Sequence, residues 1–162
     1  MNKDHVDIVL AQWRKERPDI NPSPMGISGR LIRAQNFFSG EMQKVFSRFG
    51  LNPGEFDVLA TLLRSGQPYT LTPNQLLKAL MLSSGAMTNR IDRLEVKDLV
   101  ERLADPNDRR GVRVALTTKG YKLISEVITH HVEKCRQMAS PLTDTEQETL
   151  AELLKKLLNQ FE

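Results

Sequence analysis

The segment Ser83-Ser84-Gly85-Ala86-Met87-Thr88-Asn89-Arg90 carries the residue types that read the edges of paired bases. Asparagine pairs bidentately with adenine and arginine with guanine. At about 100° per residue, a helix over Ser84–Lys97 turns Met87, Ile91 and Leu94 onto one inward stripe. Gly85, Asn89, Asp92 and Arg93 then face the other way, with Thr88 and Arg90 on the flanks. Ser83 or Ser84 supplies the N-cap. Gly85, close to the helix start, lets the backbone approach a phosphate. An ordinary amphipathic surface helix has the same pattern, so the surrounding elements must decide between the two readings.

A second group follows in Asp105-Pro106-Asn107-Asp108-Arg109-Arg110-Gly111. Val112, Val114 and Leu116 alternate with Arg113 and Ala115, the period of a strand. Val100 to Ala104 is a plausible partner. The spacing predicts a β-hairpin with Arg109 and Arg110 displayed on its turn and Asp108 holding one of them. Guanidinium groups on a narrow loop suit the negative potential of a minor groove.

Other chemistry is poorly supported. The histidines are His5, His130 and His131, and no nucleophile turn or glycine-rich phosphate loop accompanies them. His130 and His131 are adjacent on a helix and point apart, so neither metal nor cofactor is expected. Cys135 lies on an apolar stripe, where a packed thiol is the bland reading and an oxidation-sensing regulator the alternative. No enzyme is expected.

The elements that must position these groups can be read from the same pattern. Val6, Val9, Leu10 and Trp13 mark a short helix, which Pro18, Pro22 and Pro24 close off. A long helix over Met25–Phe49 carries a seam of Leu31, Gln35, Phe38, Met42, Val45 and Phe49. Asn52-Pro53-Gly54-Glu55 and Thr72-Pro73-Asn74-Gln75 are helix starts. The first helix buries Phe56, Leu59, Leu62 and Leu63; the second, very short, buries Leu76, Leu77 and Leu80. After the hairpin, Ile124, Val127, Ile128, His131, Cys135 and Met138 share a face. A final helix, opened by Thr143-Asp144-Thr145-Glu146, bears a stripe of Leu150, Leu153, Leu154, Leu157, Leu158 and Phe161.

Helix, short helix, tight turn, helix and hairpin is the layout of a winged helix-turn-helix. The expected fold is mainly α with a small β-wing, a single domain over 1–162. Residues 51–119 form the winged helix-turn-helix, and 1–49 and 120–162 are dimerisation helices. The net charge is +3 over 162 residues. Residues 83–119 hold eight basic against six acidic side chains, and 120–162 five against seven, a field able to orient a chain on phosphates. One cysteine, no apolar leader and no membrane-length stretch indicate a cytoplasmic protein. The competing class is a helical protein-interaction module that binds no DNA.

The chain resembles the multiple-antibiotic-resistance regulator (MarR) family over roughly residues 30–160. The resemblance rests on Asp108-Arg109-Arg110 followed by Leu116-Thr117-Thr118-Lys119-Gly120, and on Leu82 through Arg90. It implies a homodimeric transcriptional regulator on a pseudopalindromic double-stranded operator, usually a repressor released by a small ligand. A narrower resemblance joins Trp13, Arg17-Pro18-Asp19, Ser23-Pro24-Met25 and Gly29-Arg30-Leu31 to the urate- and aconitate-responsive, PecS/HucR/TamR-like branch. That branch implies an anionic ligand, such as urate or a tricarboxylate, at Trp13, Asp57, Arg90 and Arg102. Core packing of Trp13 and a structural Asp57–Arg90 ion pair are the plain alternatives.

Overall fold

A computed structural model describes residues 3–80, 84–106 and 108–161, with the backbone alone at 84, 109 and 110. It divides into two compact units, 1–41 and 42–162.

In the first unit, α1 (His5–Glu16) starts on a capping box between Asp4 and Asp7. Arg30, on α2 (Met25–Arg48), bridges both of those carboxylates at 2.8–3.0 Å. Val6 and Leu10 are buried where the two helices meet, and Gly26 and Gly29 let them approach. Apolar side chains of this unit stay uncovered, among them Ile27, Ile32, Phe37 and Phe38.

The second unit is built on α3 (Pro53–Arg64). Gly50, at φ +68°, ends the chain's run along α2 in a conformation other residues resist. Asn52 and Glu55 then close a reciprocal capping box. Phe56, Val58, Leu59 and Leu62 are buried, so α3 is covered on more than the single face its Phe/Leu spacing predicts. Around it pack α4 (Pro73–Leu80), α5 (Ser84–Val96) and α6 (Thr118–Ala139). Leu76, Met87, Leu94, Ile124 and Val127 complete the core. Helix α7 (Asp144–Leu158) has no buried residue and leaves Leu150, Leu153, Leu157 and Leu158 exposed.

The sheet has three antiparallel strands in the order β1–β3–β2. These are β1 (Thr70–Leu71), β2 (Val100–Asp105) and β3 (Asp108–Leu116). The two-residue β1 is absent from the sequence reading, because no alternation fits in so short a span. It pairs Thr70 with Ala115 and Leu71 with Val114. No helix among the described residues is long and apolar enough to cross a membrane.

Candidate nucleic-acid interface

Helix α5 seats itself by three side chains. Met87, Ile91 and Leu94 are 1 %, 2 % and 0 % exposed. The 3.6-residue period then forces Gly85, Thr88, Asn89, Asp92 and Arg93 outward, and all five are exposed. A Cβ built on Gly85 meets no atom within 4 Å, so the backbone there is open to an incoming group. Ser83 lies outside the described residues, as does the tight turn expected at Met81-Leu82-Ser83.

The wing differs from the expected hairpin. Strand β3 begins at Asp108, so Arg109 and Arg110 belong to the strand and not to the turn. Asp105 pairs with Asp108 while Ala104 pairs with Val112, which leaves residues 109–111 as an extra loop of strand opposite one junction. A bulge of this kind bends the strand and increases its local twist. Gly111 is required there: a Cβ would stand 2.9 Å from the Cβ atoms of both Asp105 and Asp108. Asp105, with its side chain 10 % exposed, pairs with Arg113 at 3.0 Å. Beside the support expected from Asp108, Asp105–Arg113 is an acidic–basic tie across the base of the bulge.

The wing is also tied to α5. Arg102, on β2, donates to Asp92 Oδ1 at 2.5 Å and to Glu95. Its guanidinium is held above the ordinary arginine pKa, first by the hydrogen bond to Asp92. Asp92, expected as part of the exposed reading face, is therefore a carboxylate that anchors the wing.

Of the four residues expected around an anion, two meet. Arg90 lies 3.6 Å from Asp57, and its Nη1 donates to the Gly54 carbonyl at 3.4 Å. Burial raises the Asp57 carboxyl, with the Arg90 charge acting against it. Nearby, Phe46 stacks on Phe56 at 4.1 Å and His131 tilts against Phe56 at 4.9 Å. Burial lowers the His131 pKa, and Cys135 Sγ lies 3.6 Å from His131 Nε2. Arg102 is engaged instead by Asp92 and Glu95. Trp13 is 40 % exposed on α1, in the first unit. No group of three metal-ligating side chains occurs among the described residues.

The sequence profile of the MarR family matches residues 49–111. The regulator PecS of Dickeya dadantii is 40 % identical over 94 % of this chain and 92 % of its own length. The chain belongs to the MarR family. A mutant MarR from E. coli complexed with operator DNA is 31 % identical to it, with a TM-score of 0.73 over 90 % of this chain and 97 % of that one. BpsR of Bordetella bronchiseptica, whose DNA binding is regulated by 6-hydroxynicotinic acid, has a TM-score of 0.72 at 25 % identity, over 81 % of this chain and 91 % of its own. This MarR-family chain is thus a winged-helix transcriptional regulator, and the family is not one of enzymes.

Two ties in this MarR-family fold escape sequence reasoning. Glu55, 2 % exposed, receives the Lys97 ammonium on both oxygens at 2.8 Å, and Lys97 also donates to the Gly50 carbonyl at 2.8 Å. Glu55 is legible as a capping residue, but nothing local shows that a lysine 42 positions away reaches it. The approach of Arg90 to Gly54 is hidden for the same reason.

Proposed function

We propose that this chain is a homodimeric repressor that binds a pseudopalindromic operator in the cytoplasm and is released by a small anion. One observation carries the reading: α5 buries Met87, Ile91 and Leu94 and thereby offers Asn89 and Arg93 outward, beside a wing whose bulge bears Arg109 and Arg110. In this reading Asn89 and Arg93 contact base edges in the major groove. Gly85, Ser83, Ser84 and Thr88 fix the helix start on the phosphates, and Arg109 and Arg110 enter the adjacent minor groove. Asp108 supports the wing. The MarR–operator complex among the structural neighbours supports this docking.

The uncovered apolar faces support the dimer. Phe37 and Phe38 of the first unit and Leu153, Leu158 and Phe161 of the second are 45–79 % exposed. Burying them between two copies removes this area from water and sets two copies of α5 about 34–36 Å apart, one helical turn of duplex.

The anion acts through arginine. Among the described residues, Arg90 is held at 3.4 and 3.6 Å by a carbonyl and a carboxylate whose ionisation burial already disfavours. A carboxylate or urate ion competes for it with shorter, charge-assisted bonds. Arg102, drawn from Asp92 and Glu95, supplies a second cation. Drawing either arginine from its seat disturbs α5.

The test is selection of a duplex from a random library, followed by titration. Operator affinity falls steeply with salt, as phosphate contacts require. Arg110→Ala weakens it strongly and Arg109→Ala less so, while the dimer stays intact. Asn89→Ala or Arg93→Ala relaxes base preference by about 1–3 kcal/mol per lost contact. Urate, trans-aconitate and citrate are then added up to millimolar concentration. Retention of DNA with all three removes the anion from the proposal, and unchanged affinity in both wing variants removes the wing.

A further inference from the structure

Gly54 is the second residue of α3, inside the first turn opened by Pro53. Its φ is not in the left-handed range, so its backbone does not call for glycine. Alanine is the better helix former there. The reason for glycine is space. A Cβ at position 54 would stand 2.6 Å from Arg90 Nε and 2.7 Å from Arg90 Cζ. The guanidinium of Arg90 lies directly against the α3 backbone, in the volume a methyl group would fill. Its side chain is 25 % exposed there.

The neighbouring residue receives the other tie. Glu55 binds Lys97, one position past the C-terminal end of α5. Two consecutive residues at the start of α3 thus grip α5 at its middle and just beyond its end. Met87, Ile91 and Leu94 supply apolar burial, which is non-directional and leaves rotation about the contact soft. Two polar tethers on one helical turn define an orientation.

We infer that Gly54 is a positioning residue for DNA recognition: its missing side chain makes the seat in which Arg90 locks the tilt of α5 against α3. Gly54→Ala closes the seat. The atoms in the way are the far end of a flexible side chain, so Arg90 swings out and the fold is kept. An anion that draws Arg90 off α3 has the same consequence for α5, so the effector and the methyl group act on one element. That last link rests on the operator-and-anion reading above; the seat itself does not.

The experiment compares wild type, Gly54→Ala, Arg90→Ala and the double variant as full chains. Amide hydrogen exchange is read over Ser84–Val96 without DNA. Each single variant speeds exchange by about tenfold, the loss of one charge-assisted hydrogen bond, and the double variant is no faster than either. A purely structural glycine would lower the Tm and leave exchange in α5 no different from the rest of the unit. Here Gly54→Ala keeps the wild-type Tm or exceeds it. Wild-type exchange in Gly54→Ala, or factors that multiply in the double variant, overturns the inference. On the duplex selected by the wild type, both single variants weaken binding by the same factor, again without multiplication. If the wild type selects no duplex, the operator reading falls and the exchange measurement alone decides the seat.

Discussion

Replacing Lys97 by methionine removes an ammonium that makes three contacts at 2.8 Å, two to Glu55 and one to the Gly50 carbonyl. Glu55 is 2 % exposed and stays behind without its cation. Breaking a fully buried ion pair from one side costs about 3–5 kcal/mol. Two features reduce that here. The Lys97 side chain is 40 % exposed, so water already screens the pair. Glu55 Oε2 also keeps the Asn52 backbone N–H at 2.9 Å. A loss of about 2 kcal/mol remains, or about 4–8 °C in Tm for a chain of this size. Glu55→Gln costs less, about 1 kcal/mol, because glutamine can still close the capping box and the freed lysine turns to water. The double variant costs about as much as Glu55→Gln, since no buried charge is then stranded. Urea unfolding at fixed protein concentration measures all four proteins. Lys97→Met within about 0.5 kcal/mol of wild type, the scale of an ordinary surface substitution, refutes the argument, as does a larger loss for Glu55→Gln.

Gly120→Ala brings a Cβ into the carbonyl of Leu99, a backbone atom that cannot swing aside. It is expected to cost about 3 kcal/mol or 6–12 °C in Tm, and an unchanged melting curve would contradict it. Truncation before Thr143 removes α7, whose apolar stripe is uncovered, and yields monomers by light scattering; a stable dimer from that chain is the opposing result. Burial holds His131 below its usual 6.5, so the stability gained by keeping it neutral is present above that value and lost as pH falls through the folded-state pKa. Asp57, raised by burial, acts in the opposite sense: its contribution is present at low pH and is lost as pH rises through its folded-state pKa. Stability measured downward from pH 7 therefore declines less in His131→Phe than in wild type, and equal slopes would reject this role.

The sequence alone determined the helices, the two wing strands and their order, though not the two-residue β1. Apolar periods, capping boxes at Asn52–Glu55 and Thr143–Glu146, and the alternation of Val112, Val114 and Leu116 are local, and local physics suffices to write them. The exposed face of α5 follows too, because three buried side chains at helical spacing leave Asn89 and Arg93 only one direction. Tertiary structure decided which charges meet. The family resemblance implies Arg102 beside Asp57 and Arg90, but the strand register and the end of α5 bring it to Asp92 and Glu95. Packing likewise brings Lys97 to Glu55 and Arg90 to Gly54, and it shortens the wing turn by carrying Arg109 and Arg110 into a bulge. Ion pairs between distant segments depend on how helices cross and strands align, and these are settled by packing across the whole core.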